Sequence, residues 1–245
     1  MSIYPAYQQA RAIAYNSQNG QIAVSNNYGD VSIYDYNDIS KRVTTIYKPE
    51  KWCETLVYSP CGTMLAIGSH DCQVYVYKIE GEEYKLIFDS KYSQSSAITA
   101  MDWSRDSKYI RAIDQAYMKV FYNIEERAQI QDQASELLDT MLWATSTCKL
   151  GWEAMGVYPK QDADGSDINA VDADEKRELM VAGDDFNSIR IFNYPVINSN
   201  HQCIRLLGHS EHVAKVRFVN GGSERRIISC GGNDKTIIQW KEVSA

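Results

Sequence analysis

Five times along the chain a short β-branched or aromatic run closes on an aromatic residue: VSIYD at 31–35, VYVYK at 74–78, KVFYN at 119–123, IRIFN at 189–193 and IIQWK at 237–241. The aromatics are Tyr34, Tyr77, Tyr122, Phe192 and Trp240, so the intervals are 43, 45, 70 and 48 residues. A fixed period of this size is the mark of a repeated supersecondary unit that buries its apolar faces by stacking on its neighbours. Three intervals lie near the roughly 40–45 residues of a four-stranded unit, and the long one implies an excursion of about 25 extra residues.

Each ending has the same kind of prelude. QIAVS, MLAIGS, YIRAI, LMVAG and RIISCGG precede the aromatic strands and run into turn residues. Ahead of them lie AIAYN, TLVYSPCG, TAMDWSRDS, INAVDAD and KVRFVNGG, first strands followed by polar hairpins. Alternation on this scale indicates half-buried strands. RVTTIY, KLIFDS and CIRLLG read as fourth strands. The expectation is an all-β chain of about five four-stranded blades of a WD40-type propeller, near 7–49, 50–93, 94–168, 169–207 and 208–245, with the third carrying an insertion at 124–168. Five blades seldom close a ring of this repeat, and the last stops after its third strand. The ring is therefore expected to be incomplete or part of a larger tandem propeller, its missing blades supplied by upstream sequence or by another chain.

The last unit is the most complete. His209 precedes its first strand, Ser229 lies in the second, Asp234 in the turn and Trp240 at the end of the third. These four types form a hydrogen-bond chain that satisfies polar groups inside a blade. Ser, His and Asp also make a nucleophile triad, but the spacing is that of a structural tetrad. Asp184-Asp185 and His70-Asp71 fall in hairpin turns, where solvated Asp is expected. Asp162, Asp164 and Asp167 in DADGSD lack the bidentate acid at the twelfth position of a calcium loop, which is Ala173, so a turn is expected. The six cysteines are dispersed without a CxxC pair, so no zinc site is expected. Neither a phosphate-binding loop nor a nucleophile motif is present, and no enzyme activity or cofactor is expected.

The formal charge of −7 argues against non-specific nucleic-acid binding, which needs clustered Lys and Arg. No apolar run approaches the roughly 18–20 residues that span a bilayer, and MSIYPAYQQA lacks the basic start and apolar core of a signal peptide. The expectation is a cytoplasmic protein without membrane contact.

Within the insertion, Trp152, Tyr158 and Lys160 are candidate partner contacts, because aromatic and cationic side chains on a loop carried by a rigid scaffold anchor interfaces. The other reading is that LGWEAMGVYP packs across the propeller and seals a gap. IQDQASELLDTMLW reads equally as a short amphipathic helix or an irregular strand.

SPCGTMLAIGSHDCQVYVYKIEG (59–81), WATSTCKLGWEAMGVYP (143–159), DGSDINAV (164–171), AGDDFNSIRIFNYP (182–195), GHSEHVAKVRF (208–218) and GGNDKTIIQWK (231–241) occur in this order and at these spacings. The set, from about residue 10 to 241, resembles the second propeller of the echinoderm microtubule-associated protein-like family. The resemblance implies a non-enzymatic cytoskeletal protein whose propeller meets tubulin, microtubules or axonemal partners, on the cytoskeleton or in a cilium. A general WD40 scaffold without tubulin contact is the alternative. The coiled coil, basic tract and first propeller of that family are not in this sequence. Since tubulin is acidic, long-range steering would not favour contact, which must come from local patches and shape.

Overall fold

The computed structural model describes residues 9–91, 94–130, 141–158, 167–174, 176, 178–219 and 226–242. It divides into two compact units, Met1–Ala144 and Thr145–Ala245. Every strand pairing is antiparallel and between consecutive strands, so each sheet is a meander.

The first unit holds three four-stranded blades. Blade 1 comprises β1 (Ala10–Asn16), β2 (Gln21–Asn26), β3 (Val31–Asp35) and β4 (Arg42–Ile46). Blade 2 comprises β5 (Cys53–Tyr58), β6 (Met64–Ser69), β7 (Val74–Glu80) and β8 (Glu83–Asp89). Blade 3 comprises β9 (Ile98–Trp103), β10 (Tyr109–Asp114), β11 (Lys119–Asn123) and β12 (Ala128–Ile130). The three residues of β12 pair with β11 inside the stretch read from sequence as insertion. AQI is too short to show a period, so sequence alone carries no signal for it.

Blades stack because both faces of a middle blade are apolar. On one side Ala23, Val31 and Ile33 of blade 1 meet Leu56, Leu65, Ile67, Tyr75 and Tyr77 of blade 2. On the other, Ala66, Val74, Val76 and Phe88 meet Met101, Trp103, Ile110, Val120 and Tyr122 of blade 3. Two faces are needed, so the central strands are buried at almost every position instead of every second one. Trp103 also donates its indole N–H to Val57 O at 3.0 Å, tying blade 3 to blade 2. Leu65 is fully buried, and truncating such a side chain to Ala costs about 2–5 kcal/mol.

The far face of blade 3 is covered by its own excursion. Trp143 stacks on Phe121 at 5.9 Å and lies over the Arg111 guanidinium, 4.8 Å from its ring. Arg111 pairs with Asp102 at 2.9 Å, both essentially inaccessible to solvent. A buried ion pair of this kind contributes little net stability, but removing one partner strands the other at a cost of about 3–5 kcal/mol. Ser104 and Trp143 form an isolated antiparallel bridge, which fixes where the excursion leaves the blade.

The second unit begins with a 3-10 turn, Trp152–Val157. Blade 4 follows with β13 (Ile168–Asp174), β14 (Leu179–Asp184), β15 (Ser188–Asn193) and β16 (Cys203–Leu207). Blade 5 has β17 (Val213–Phe218), β18 (Arg226–Gly231) and β19 (Ile237–Lys241), and among the described residues it has three strands. Ala154 and Val157 of the 3-10 turn pack on Ile168, Val171, Met180 and Phe192. Gly156 makes that docking close: a Cβ there would meet the Asn198 backbone at 2.2 Å. Ala170, Val181 and Ile189 of blade 4 pack on Val213, Val216, Phe218 and Ile227 of blade 5.

Candidate functional site

The hairpin joining the second and third strands of blade 5 brings His209, Ser229, Asp234 and Trp240 together. Trp240 Nε1 donates to Ser229 Oγ at 2.8 Å. Ser229 Oγ lies 2.7 Å from His209 Nε2, and His209 Nδ1 lies 2.9 Å from Asp234 Oδ2. Donor counting sets the direction: the Ser229 hydroxyl donates to Nε2, and the ring proton on Nδ1 points to Asp234. Thr236, a member that sequence reasoning missed, accepts from the same Nδ1 at 2.9 Å and donates its hydroxyl to Asp234 Oδ1 at 2.9 Å. Its place two residues after Asp234 in GGNDKT, closing an Asx turn, is the signal that could have found it.

Asp234 is the hub. The Thr236 amide, together with the His209 ring, the Thr236 hydroxyl and the Ser210 amide, holds its carboxyl at about 2, below the usual carboxylate range. Gly231 is obligatory beside it, because a Cβ would sit 1.8 Å from Asp234 Oδ1. As a catalytic arrangement the set has no entrance. Ser229 is 0% exposed, its hydroxyl proton is committed to His209, and its oxygen accepts the Trp240 indole N–H. The chemistry available to it is hydrogen-bond satisfaction.

Two of the acids expected to be solvated, Asp184 and Asp71, are buried instead. Asp184 is not solvated: it is fully buried at the end of β14, while Asp185 beside it is exposed. Burial is tolerated because Asp184 Oδ1 accepts the amides of Phe186 and Ser188, and Oδ2 accepts the Ser188 hydroxyl at 2.5 Å and faces Arg190 Nε at 3.0 Å. Asp71 is likewise buried, accepting the Gln73 amide and the Tyr75 hydroxyl. His70 stacks on Trp52 at 3.4 Å and meets Glu54 at 2.8 Å. Of the DADGSD acids, Asp162 and Asp164 lie outside the described residues, and the Asp167 carbonyl accepts the Asp185 amide. Among the described residues no group of three or more His, Cys, Asp and Glu is placed to hold a metal ion. No helix among them is long and apolar enough to cross a membrane.

The excursion residues separate. Tyr158 turns inward, packing with the blade 4 core and donating its hydroxyl to Lys149 O at 3.3 Å. Trp152 and Met155, three residues apart on one side of the 3-10 turn, are 49% and 52% exposed. Ile197, in the loop that the turn packs against, is exposed as well. Lys160 lies outside the described residues, as do 131–140 of the IQDQASELLDTMLW stretch. The excursion is therefore partly packing, with Trp152 and Met155 outward.

The family description "Echinoderm microtubule-associated protein second beta-propeller" matches residues 2–242. The ciliary WD repeat-containing protein ctxp80 of Euplotoides octocarinatus is 36% identical over 98% of this chain and 32% of its own length. Mouse echinoderm microtubule-associated protein-like 4 is 37% identical over 76% of this chain and 18% of its length. Mouse echinoderm microtubule-associated protein-like 1 is 33% identical over 96% and 28%. The chain thus spans about a third or less of these curated relatives. A chain in the crystal structure of the mitotic checkpoint complex shares the fold, with a TM-score of 0.74 over 98% of this chain and 79% of that one, at 13% identity. The ordered blades, the excursion before the fourth of them and the whole-length match establish that this chain belongs to the echinoderm microtubule-associated protein family and corresponds to its second β-propeller.

Proposed function

We propose that this chain is a non-enzymatic propeller platform that binds tubulin or axonemal partners on the cytoskeleton, with the outward side of the excursion as a contact. The observation that carries this reading is the family match along residues 2–242, which includes the excursion itself. The names of the relatives, microtubule-associated in one group and ciliary in another, support a cytoskeletal setting. Trp152 and Met155 supply the geometry: large apolar side chains on a turn whose other side is anchored to blade 4. Anchored aromatics of this kind dominate interfaces because little side-chain freedom is lost on contact. The remaining blades of the ring, from upstream sequence or another chain, belong to the same reading.

Co-sedimentation with taxol-stabilised microtubules tests it. The chain is expected in the pellet, and Trp152→Ala with Met155→Ala in the supernatant at unchanged thermal stability. Pelleting that is indifferent to both substitutions would make the excursion structural. A chain that stays soluble at every microtubule concentration would favour a scaffold without tubulin contact.

A further inference from the structure

Two outer seams of the first unit can be compared, one between the fourth-strand regions of blades 1 and 2 and one between those of blades 2 and 3. The first is closed by opposite charges. Lys41, immediately before β4, lies 3.7 Å from Glu82, immediately before β8. Lys48, two residues past β4, lies 3.9 Å from Asp89, the last residue of β8. Cations stand on the blade 1 side of this seam and acids on the blade 2 side.

The second seam departs from this at both acid positions. Lys91 stands two residues past β8, as Lys48 does past β4, but β12 ends on Ile130 where β8 ends on Asp89. Arg127 stands immediately before β12, in the place that Glu82 holds before β8. One acid is thus replaced by an apolar residue and the other by a cation, and cations stand on both sides. Among the described residues neither Lys91 nor Arg127 forms an ion pair. The strands also differ in length: β12 has three residues beside the seven of β8, and the seam keeps a hollow of about 270 Å³. Leu86, Ile87, Phe88 and Asp89 line it together with Lys91 and Arg127. Phe88 is buried and tilts against Tyr122 of blade 3 at 5.3 Å, while Leu86 is 42% exposed. Asp89 is already committed, accepting the Lys91 amide at 3.0 Å and meeting Lys48 across the first seam. Both blades have four strands, so the hollow lies between complete neighbours and not at an end of the array.

Two cations held across a packed seam favour an anion between them, and an apolar wall beside them favours an apolar neighbour. We propose that this hollow is a docking site for an acidic residue and an adjoining apolar one on a partner polypeptide. The carboxylate meets Lys91 and Arg127, and the apolar side chain lies on Leu86 and Phe88. Arg127 brings a planar fork that takes a carboxylate in two parallel bonds, and Lys91 a point charge. The volume is that of about nine waters, room for a side chain or two and not for a folded element. The site is separate from the excursion, and its assignment goes beyond the cytoskeletal reading without depending on it.

Fluorescence anisotropy of a labelled, alternating glutamate–leucine octapeptide titrated with the 245-residue chain tests it, with a glutamate–serine octapeptide as control. The first peptide is expected to bind at low salt, and the second about fivefold or more weaker for want of apolar burial. Lys91→Glu with Arg127→Glu should weaken binding of the first by about tenfold or more, because like charges now face each other. Arg42→Glu with Lys51→Glu reverses two exposed cations elsewhere on the first unit, an equal charge change, and should leave it nearly unchanged. Equal loss in both double variants, no loss in the first of them, or no binding at low salt overturns the assignment. Equal affinity for the two peptides does so as well, since the hollow would then take any anion. Carbodiimide coupling of the peptide carboxylates to lysine, mapped by mass spectrometry, locates the contact on the unaltered chain and so stands even where a variant folds poorly. Coupling at Lys91 supports the site, and coupling confined to other lysines sinks it.

Discussion

Blades 4 and 5 solve one problem in two ways. Each must turn between its second and third strands without leaving the turn amides unpaired inside the sheet stack. Blade 4 places an acid at the end of the second strand: Asp184 gathers the amides of Phe186 and Ser188 and faces Arg190, while Arg205 from β16 reaches across to Ser188 Oγ at 3.0 Å. The positions that answer to Ser229 and Trp240 are Ala182 and Phe192, so nothing deeper in the blade needs a partner. Blade 5 has Gly231 where blade 4 has Asp184. Its acid is three residues later, and the satisfaction runs inward through His209 and Ser229 to Trp240. The two schemes exclude each other at that position, because any side chain at 231 enters the space of the Asp234 carboxylate.

Blades 1, 2 and 3 follow the first scheme with Asn26, Ser69 and Asp114, each accepting a turn amide at the end of its second strand. The lesson is that a local cap is the general device in this chain, and the long-range tetrad belongs to the blade where the cap is glycine. A tetrad residue missing from the other blades is therefore no defect in them.

The largest effect is expected where the buried acid is removed. Asp184→Ala leaves Arg190 and two amides without their acceptor and should destabilise the second unit by about 3 kcal/mol in urea unfolding. Gly231→Ala forces Asp234 out of its turn, with about 2 kcal/mol lost by the same measurement. Ser229→Ala strands the Trp240 N–H in a buried place and should cost about 1–2 kcal/mol. If the two hairpins are independent, Asp184→Ala and Ser229→Ala will add, and a clear coupling energy in the double mutant would break the comparison. Thr236→Val, which leaves the other bonds of the network in place, is expected to cost about 1 kcal/mol or less.

The pH dependence sharpens the contrast from the other side. The folded pKa of Asp234 is depressed to about 2, so its stabilising contribution is fully present above the ordinary carboxylate value of about 3.9 and is lost as pH falls towards 2. Asp234→Asn should flatten the acid limb of the blade 5 transition between those values, read by Trp240 fluorescence against a matched blade 4 probe.

Much of this was legible in the residues themselves. The aromatic endings of the third strands stand out because three of their four intervals lie between 43 and 48 residues, and GH, S, D and W in the last unit carry their own spacing. Asp184 was misread because turn statistics describe an average solvated Asp, and burial of a carboxylate depends on Arg190 and two amides arriving from the fold. β12 escaped because three residues carry no period. Lys91 and Arg127 were visible as cations, but that the two share one seam is a fact about stacking, not about either strand. Tyr158 and Trp152 differ for the same reason: Trp152 opens the 3-10 turn facing outward, while Tyr158, just past its end, packs inward.

Pelleting with microtubules tests the central claim most directly, provided the tetrad and the surfaces are compared in one assay. The account predicts that the wild-type chain and Ser229→Ala pellet alike at temperatures where both are folded, and that Trp152→Ala with Met155→Ala remains in the supernatant. A folded Ser229→Ala chain that no longer pellets, or a wild-type chain that never does, would contradict it.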